Sequence, residues 1–250
     1  MIKRLFRKYF GRPIDIKRSW IDTPGEFADL TKFLSWFDTT RSIEETQRRA
    51  ASDWTRKITA FPQYRDMPKQ RCLEIGFGGG RLLVEASKDF TEAIGVDIHQ
   101  AFNQTRRYLQ LCNRTNITLL HRNDLPTVPD NSIDFVFSFI VFQHFDDFSE
   151  VDFYLQQIRR LLCPDGYAQI FYAKNAEAGI KTVDPREFTK RKCSLFVEPA
   201  LFREAISRQF RIVEFYDVMK KHLDRPPSTD NLSEQASVLF TQRPISTAAA

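Results

Sequence analysis

The stretch Glu74-x-Gly76-x-Gly78-x-Gly80 sets one carboxylate and three glycines at alternate positions, with Gly79 between the last two. Before it, Cys72, Leu73 and Ile75 make a short apolar run; after it, Leu82, Leu83 and Ala86 resume at helical spacing. That order reads as a buried strand, a tight turn and the start of a helix. Glycines suit a turn that visits positive φ and lets a ligand approach bare backbone. The following helix N-terminus offers unpaired N–H groups and a partial positive charge. Two ligand classes use such a turn. A dinucleotide wants Gly-x-Gly-x-x-Gly, with its pyrophosphate on the helix N-terminus, but the third glycine of that pattern would fall at Arg81. What stands instead is an acidic residue, Glu74, two places before the first glycine.

Further polar residues recur where later strands should stop. Asp97 closes Ala93-Ile-Gly-Val-Asp97, and Asp124 with Leu125 follows Ile117-Thr-Leu-Leu-His121. Ser138 and Phe139 end the run that begins at Ser132, and His144 stands just beyond, in Phe142-Gln-His-Phe145. Open α/β sheets bind ligands at consecutive strand ends, so this order is more specific than any one residue in it. Taken singly, Asp97 is an acid after a strand and Asp124 suits a turn or a helix cap.

The elements that must position these groups alternate along the chain. Helix A runs to about Asp89, helix B covers 101–113 and helix D 149–162, with Cys163-Pro164-Asp165-Gly166 turning into a fifth strand over 167–173. A helix over 198–209 and strands over 210–219 and 237–242 complete a doubly wound, mostly parallel sheet. Upstream, Phe27, Leu30, Leu34 and Phe37 mark an amphipathic helix over 26–37, and Ser42-x-x-Glu45 resembles a capping box for a second helix reaching about Ala60.

Together these residues resemble the class I methyltransferases that use S-adenosylmethionine (SAM), most closely the broad group acting on small molecules. The likeness is strong over about 70–173 and looser over 198–242. It implies a Rossmann-like seven-stranded sheet in the order 3-2-1-4-5-7-6, the last strand antiparallel, under an N-terminal helical lid at 21–66. The SAM-binding domain would span 67–245, with a substrate-side insertion at 175–197. On this resemblance Glu74, Gly76, Phe77, Gly78 and Gly80 hold the methionine part of SAM. Asp97, beside Ile98, grips the ribose hydroxyls, two acceptor oxygens matching two adjacent donors. Asp124 meets the adenine amino group and Leu125 packs on its ring. Ser138 and Phe139 border the sulfonium, and His144 is placed as a general base, a role its titration range suits; a histidine capping helix D fits the same position. His99 would lie beside the ribose, and His121, inside a strand, receives no role. Trp20, Trp36 and Trp54 read either as pocket walls or as packing.

The resemblance also narrows the acceptor. The fourth strand ends Ser138-Phe-Ile-Val rather than Asn/Asp-Pro-Pro-aromatic, which argues against nucleic-acid bases. No paired-glutamate loop of the protein-arginine type and no acid of the catechol metal type follows it, so no metal is expected. The departure at Pro164-Asp165-Gly166, where the family shows Pro-Gly-Gly, is ordinary turn chemistry. A small-molecule or sugar- or lipid-linked acceptor, methylated on oxygen, is the reading, with S-adenosylhomocysteine as product. The alternatives are a non-catalytic SAM-binding or membrane-associated scaffold and, on a similar sheet, a nicotinamide-dependent oxidoreductase.

Composition supports a globular domain with a sizeable core in 250 residues. The net charge of +5 is carried by residues 1–20, which alone hold +6, so the body is about neutral. Within 2–9, Ile2, Leu5, Phe6 and Tyr9 alternate with basic residues as a short amphipathic helix stopped by Gly11 and Pro13. Residues 1–12 therefore suit either peripheral contact with an anionic membrane or docking on the body. Four scattered cysteines without a Cys-x-x-Cys pair read as reduced thiols of a cytoplasmic protein. No run approaches the roughly 18–20 apolar residues of a membrane span.

Overall fold

The computed structural model describes residues 16–175, 178–182, 193–216 and 235–242. The basic segment at 1–15, most of the charged insertion and the Pro226-Pro227 stretch lie outside the described residues. The strands are β1 (Arg71–Ile75), β2 (Glu92–Asp97), β3 (Ile117–His121), β4 (Ile133–Ser138), β5 (Leu162–Ala173), β6 (Ile180–Thr182), β7 (Leu195–Val197), β8 (Arg211–Tyr216) and β9 (Gln235–Thr241). Seven of them form one sheet in the order β3-β2-β1-β4-β5-β9-β8, parallel except for β9, which runs antiparallel to both β5 and β8. This is the expected 3-2-1-4-5-7-6 path, because β6 and β7 pair with each other in a separate two-stranded sheet.

The strands read as nearly continuous apolar runs because both faces are covered. Side chains alternate between two cores. Leu73, Ile75, Ile94, Val96, Val136 and Ile170 face α6 (Phe148–Leu161) and α7 (Pro199–Ser207), while Cys72, Ala93, Phe135, Phe137 and Phe171 face α4 (Arg81–Asp89) and Trp54. Helix labels follow chain order: α1 is Ile16–Asp22, α2 Leu30–Asp38, α3 Ile43–Asp53 and α5 Phe102–Leu111. A third apolar cluster joins Phe33 and Leu34 of α2 to Val84 of α4 and to Tyr108 and Leu109 of α5, so α2 rests on the glycine turn and its flanking helices.

Several boundaries differ from expectation. Helix α2 begins at Leu30, because Asp29 accepts the Lys32 N–H as its cap and Pro24 directs a separate 3-10 turn at Thr23–Glu26. The capping box at Ser42 is present, though Glu45 reaches back to the N–H of Arg41. Helix α3 stops at Asp53 and continues as a π-turn over Trp54–Ile58. Residues 163–166, expected as a turn, form an irregularity inside β5, whose register with β4 jumps from Ile133–Leu162 to Phe135–Tyr167. Helix α1 and the β6–β7 hairpin carry no strong periodic pattern and were not foreseen. Among the described residues no helix is long and apolar enough to cross a membrane.

Candidate functional site

Strand β1 delivers Glu74 and Ile75 to a turn in which Gly76, Gly78 and Gly80 all have positive φ (77°, 49° and 84°). The Gly76 N–H still pairs with Val96 O at 2.7 Å, extending the ladder, and the Gly80 N–H closes the turn on Phe77 O at 2.7 Å. Bareness serves the protein as well as any ligand here. A Cβ on Gly78 would stand 2.7 Å from the Phe37 ring, and one on Gly79 2.7 Å from Leu34, both on α2.

Gly78 is held from both sides. Its N–H donates to Asp97 Oδ2 at 2.8 Å, and its carbonyl accepts the Thr105 hydroxyl at 3.1 Å. His99 Nδ1 accepts the Ala101 N–H at 3.1 Å, which leaves Nε2 to carry the proton and donate to Gly78 O at 3.0 Å. Asp97 Oδ1 accepts from the N–H groups of Ile98 (2.7 Å) and His99 (3.3 Å). His99 is fully buried among Phe33, Phe37, Phe77 and Phe102. It therefore fastens the glycine turn from behind, with its Nε2 3.9 Å from Asp97 Oδ2.

Glu74 is 3% exposed, and its Oε2 has no hydrogen-bond partner. Burial pushes its carboxyl well above the usual carboxylate range, against the pull of Arg81. Arg81 opens α4 and is itself 7% exposed, with its Nη1 2.8 Å from Asp53 Oδ2 and its Nε donating to Asp38 Oδ1. The two N-terminal helices α2 and α3 thus each supply one carboxylate to the base of the turn.

One small cavity, about 40 Å³, lies beside this arrangement and is lined by Gly76, Asp97, Ile98, Val141, His144, Phe145, Asp146, Glu150, Tyr154 and Lys17. It brings the strand-end residues Gly76, Asp97 and Ile98 together with His144, which sits in a 3-10 turn (Phe142–His144) beyond β4. The His144 ring lies 4.6 Å from the Trp20 ring of α1. Lys17, also on α1, pairs with Glu150, which accepts from Arg122 at 3.3 Å as well. Lys17, Asp146, Glu150 and Tyr154 were not singled out from the sequence. Glu150 and Tyr154 lie one helical turn apart on α6, a spacing that could have drawn attention to them; nothing local pointed to Lys17.

Other expected site residues are placed elsewhere. Phe77 is buried against His99 and Phe102, at 5.2 and 5.1 Å between rings. Ser138 is fully buried and donates to Ile75 O at 3.0 Å, and Phe139 packs edge-on against Phe171. Leu125 is fully buried in the core with Val128 and Ile158 and does not line the cavity. Asp124 is exposed in the 3-10 turn Arg122–Thr127, its carbonyl accepting the Thr127 hydroxyl. His121 accepts the Asn123 N–H and caps that turn. Trp54 is packing, with its indole N–H on Asp89 at 2.9 Å. All four cysteines are free thiols. Among the described residues no three His, Cys, Asp or Glu side chains gather as a metal site.

Residues 73–170 match a family model described as a methyltransferase domain. No curated protein matches the chain in sequence. Among solved structures, the N-methyltransferase NodS from Bradyrhizobium japonicum, in complex with S-adenosylhomocysteine, aligns with a TM-score of 0.61 at 12% identity, covering 92% of this chain and 100% of that one. Phosphoethanolamine N-methyltransferase 1 from Haemonchus contortus, with phosphoethanolamine and S-adenosylhomocysteine, aligns with a TM-score of 0.64 at 15% identity, over 94% of this chain and 49% of that one. The [4+2]-cyclase SpnF aligns with a TM-score of 0.59 at 14% identity, over 80% and 82%. At such identities the likeness is one of fold, and the cyclase illustrates that this fold hosts more than one reaction.

Proposed function

We infer from the match of residues 73–170 to a methyltransferase-domain model that the chain transfers a methyl group from SAM to a hydroxyl of a small molecule or of a sugar- or lipid-linked precursor. The observation that carries this reading is the single cavity that joins Gly76, Asp97 and Ile98 to His144.

The residues fit the cofactor. Glu74 Oε2 is a buried acceptor in want of a donor, and the ammonium of a methionine moiety would satisfy it. Gly76 presents a bare backbone face, covered in this structure by Val141. Asp97 is oriented by three backbone N–H groups, and its oxygens keep lone pairs for the ribose hydroxyls. Gly78 and Gly80 shape the turn, and Asp124, exposed after β3, is the acid this reading assigns to the adenine amino group. Bound there, SAM supplies a methyl on a sulfonium, a carbon already activated for in-line displacement, and leaves as S-adenosylhomocysteine. The chain's own task is then to hold the acceptor oxygen in line, where proximity contributes about 7–11 kcal/mol, and to take the hydroxyl proton on His144. Trp20 backs the His144 ring. A second reading, transfer to nitrogen, is favoured by the three carboxylates of the cavity wall (Asp97, Asp146, Glu150), which suit an amine.

The test is release of S-adenosylhomocysteine by the full chain with SAM and a panel of hydroxyl and amine compounds. Turnover on a hydroxyl compound that slows in His144→Ala is the expected result. SAM binding without turnover on any compound would favour the binding-only scaffold, and turnover on amines alone would move the acceptor atom to nitrogen.

A further inference from the structure

We propose that residues 139–141 form a strained plug, held by the protein's own fold against the glycine turn, and that the cost of displacing it sets the affinity for the cofactor. This rests on the SAM reading above. Val141 fills the bare face of Gly76; a Cβ on that glycine would stand 2.6 Å from Val141 Cγ1 and 3.0 Å from its Cβ. The cavity that Val141 helps to line is about 40 Å³, room for a few waters and far too small for a nucleoside. The residue before it, Ile140, has φ +62°. A β-branched side chain in the left-handed region is a strained arrangement that persists only where its surroundings impose it.

Those surroundings are visible on both sides. Ser138, immediately upstream, is fixed by its hydroxyl on Ile75 O, and Phe139 by the Phe171 ring 4.9 Å away. Downstream, Gln143 O accepts the Ser194 N–H at 2.7 Å, and Gln143 Oε1 accepts from Gln235 Nε2 at 2.7 Å inside a buried network. With both flanks anchored, the strain is confined to Ile140, while Val141 keeps an ordinary backbone angle (φ −115°). Moving Val141 off Gly76 frees the glycine face and lets Ile140 return to an ordinary φ, so strain stored in the closed form offsets part of the cost of opening. The displacement also reaches the proposed base, because the His144 N–H donates to Val141 O at 2.8 Å. Loading of the turn therefore removes the acceptor of the His144 N–H, while Gln143 keeps its anchors.

The inference predicts effects of opposite sign at adjacent residues. S-adenosylhomocysteine is titrated calorimetrically into the full chain and into Val141→Ala, Ile140→Gly and Ile140→Asn, with unliganded thermal unfolding recorded for each. Val141→Ala, which shrinks the plug, binds several-fold tighter. Ile140→Gly and Ile140→Asn, which relieve the strain of the closed form only, bind about five- to thirtyfold weaker, the range expected from one left-handed residue. Asparagine tolerates that backbone while keeping a Cβ, so it stands in if the glycine variant unfolds. Weaker or unchanged binding by Val141→Ala, or unchanged or tighter binding by the Ile140 variants, overturns the plug while leaving the SAM reading intact. Absence of binding by the unaltered chain removes both.

Discussion

Arg81 and Asp38 form a buried ion pair, with side chains 8% and 10% exposed, that ties the last residue of α2 to the first residue of α4. Burial alone would depress the Arg81 pKa, but Asp38 and Asp53 outweigh it and hold the guanidinium above its usual range. One cation therefore fastens both α2 and α3 to the glycine turn. The same residue excludes the dinucleotide pattern by standing where its third glycine would be.

Removing that cation should be costly. Arg81→Ala leaves Asp38 buried and without its ion-pair partner and Asp53 with Lys57 alone, a loss of about 3–5 kcal/mol for a broken buried ion pair. Urea unfolding at neutral pH should show a correspondingly lower midpoint, while Asp38→Asn, which keeps a hydrogen-bond acceptor for Arg81, should lose less. A shift under about 1 kcal/mol for Arg81→Ala would mean that α2 and α3 are held by their apolar contacts alone.

Glu74 gives the fold a pH dependence of definite sign. Its folded pKa is raised by burial above the ordinary value of 4.5, so between 4.5 and the raised value the folded state binds more protons than the unfolded chain. Stability falls with rising pH across that window. Thermal unfolding of Glu74→Gln should lose this contribution and show a flatter profile. A steeper profile in the variant would place the titration on another group.

How far the fold was legible depends on the range of the interactions. The order of the main sheet follows from apolar runs alternating with helical spacing, and the glycine turn from its composition, because both are local patterns. The β6–β7 hairpin is only three residues a side, with β6 wholly exposed, and so leaves no amphipathic signature. In the site, Glu74, Gly76, Asp97, Ile98 and His144 were readable as strand-end residues. Lys17 was not, since its partner Glu150 lies 133 positions away. Leu125 misleads because its neighbour Asp124 faces solvent while Leu125 itself turns into the core. Val141 and Ile140 read as plain apolar residues; the sign of a backbone angle at a β-branched residue has no local sequence signal.

Asp97 has two tasks, and two substitutions separate them. Asp97→Ala removes the acceptor for the Gly78, Ile98 and His99 N–H groups, with a stability loss of about 1–3 kcal/mol and loss of SAM binding. Asp97→Asn keeps one carbonyl acceptor, so it should unfold closer to the unaltered protein yet still bind SAM more weakly. Equal affinity of Asp97→Asn and the unaltered chain in calorimetry would contradict the ribose assignment.

His144→Ala should lower the turnover rate by about 10²–10⁴-fold, the usual contribution of a positioned base, while leaving SAM affinity nearly intact. The unaltered chain should lose rate on acidification, as a protonated base can no longer accept the hydroxyl proton. A flat rate between about pH 6 and 9 would remove His144 as the base.

The most direct measurement of the central claim is calorimetric titration of the full chain with SAM and with S-adenosylhomocysteine, using NADH as the comparison. The account predicts saturable binding of both adenosyl compounds at a single site, lost in Asp97→Ala, and no binding of NADH. Binding of NADH with neither adenosyl compound would contradict it, and would return the glycine turn to the dinucleotide reading that Arg81 argues against.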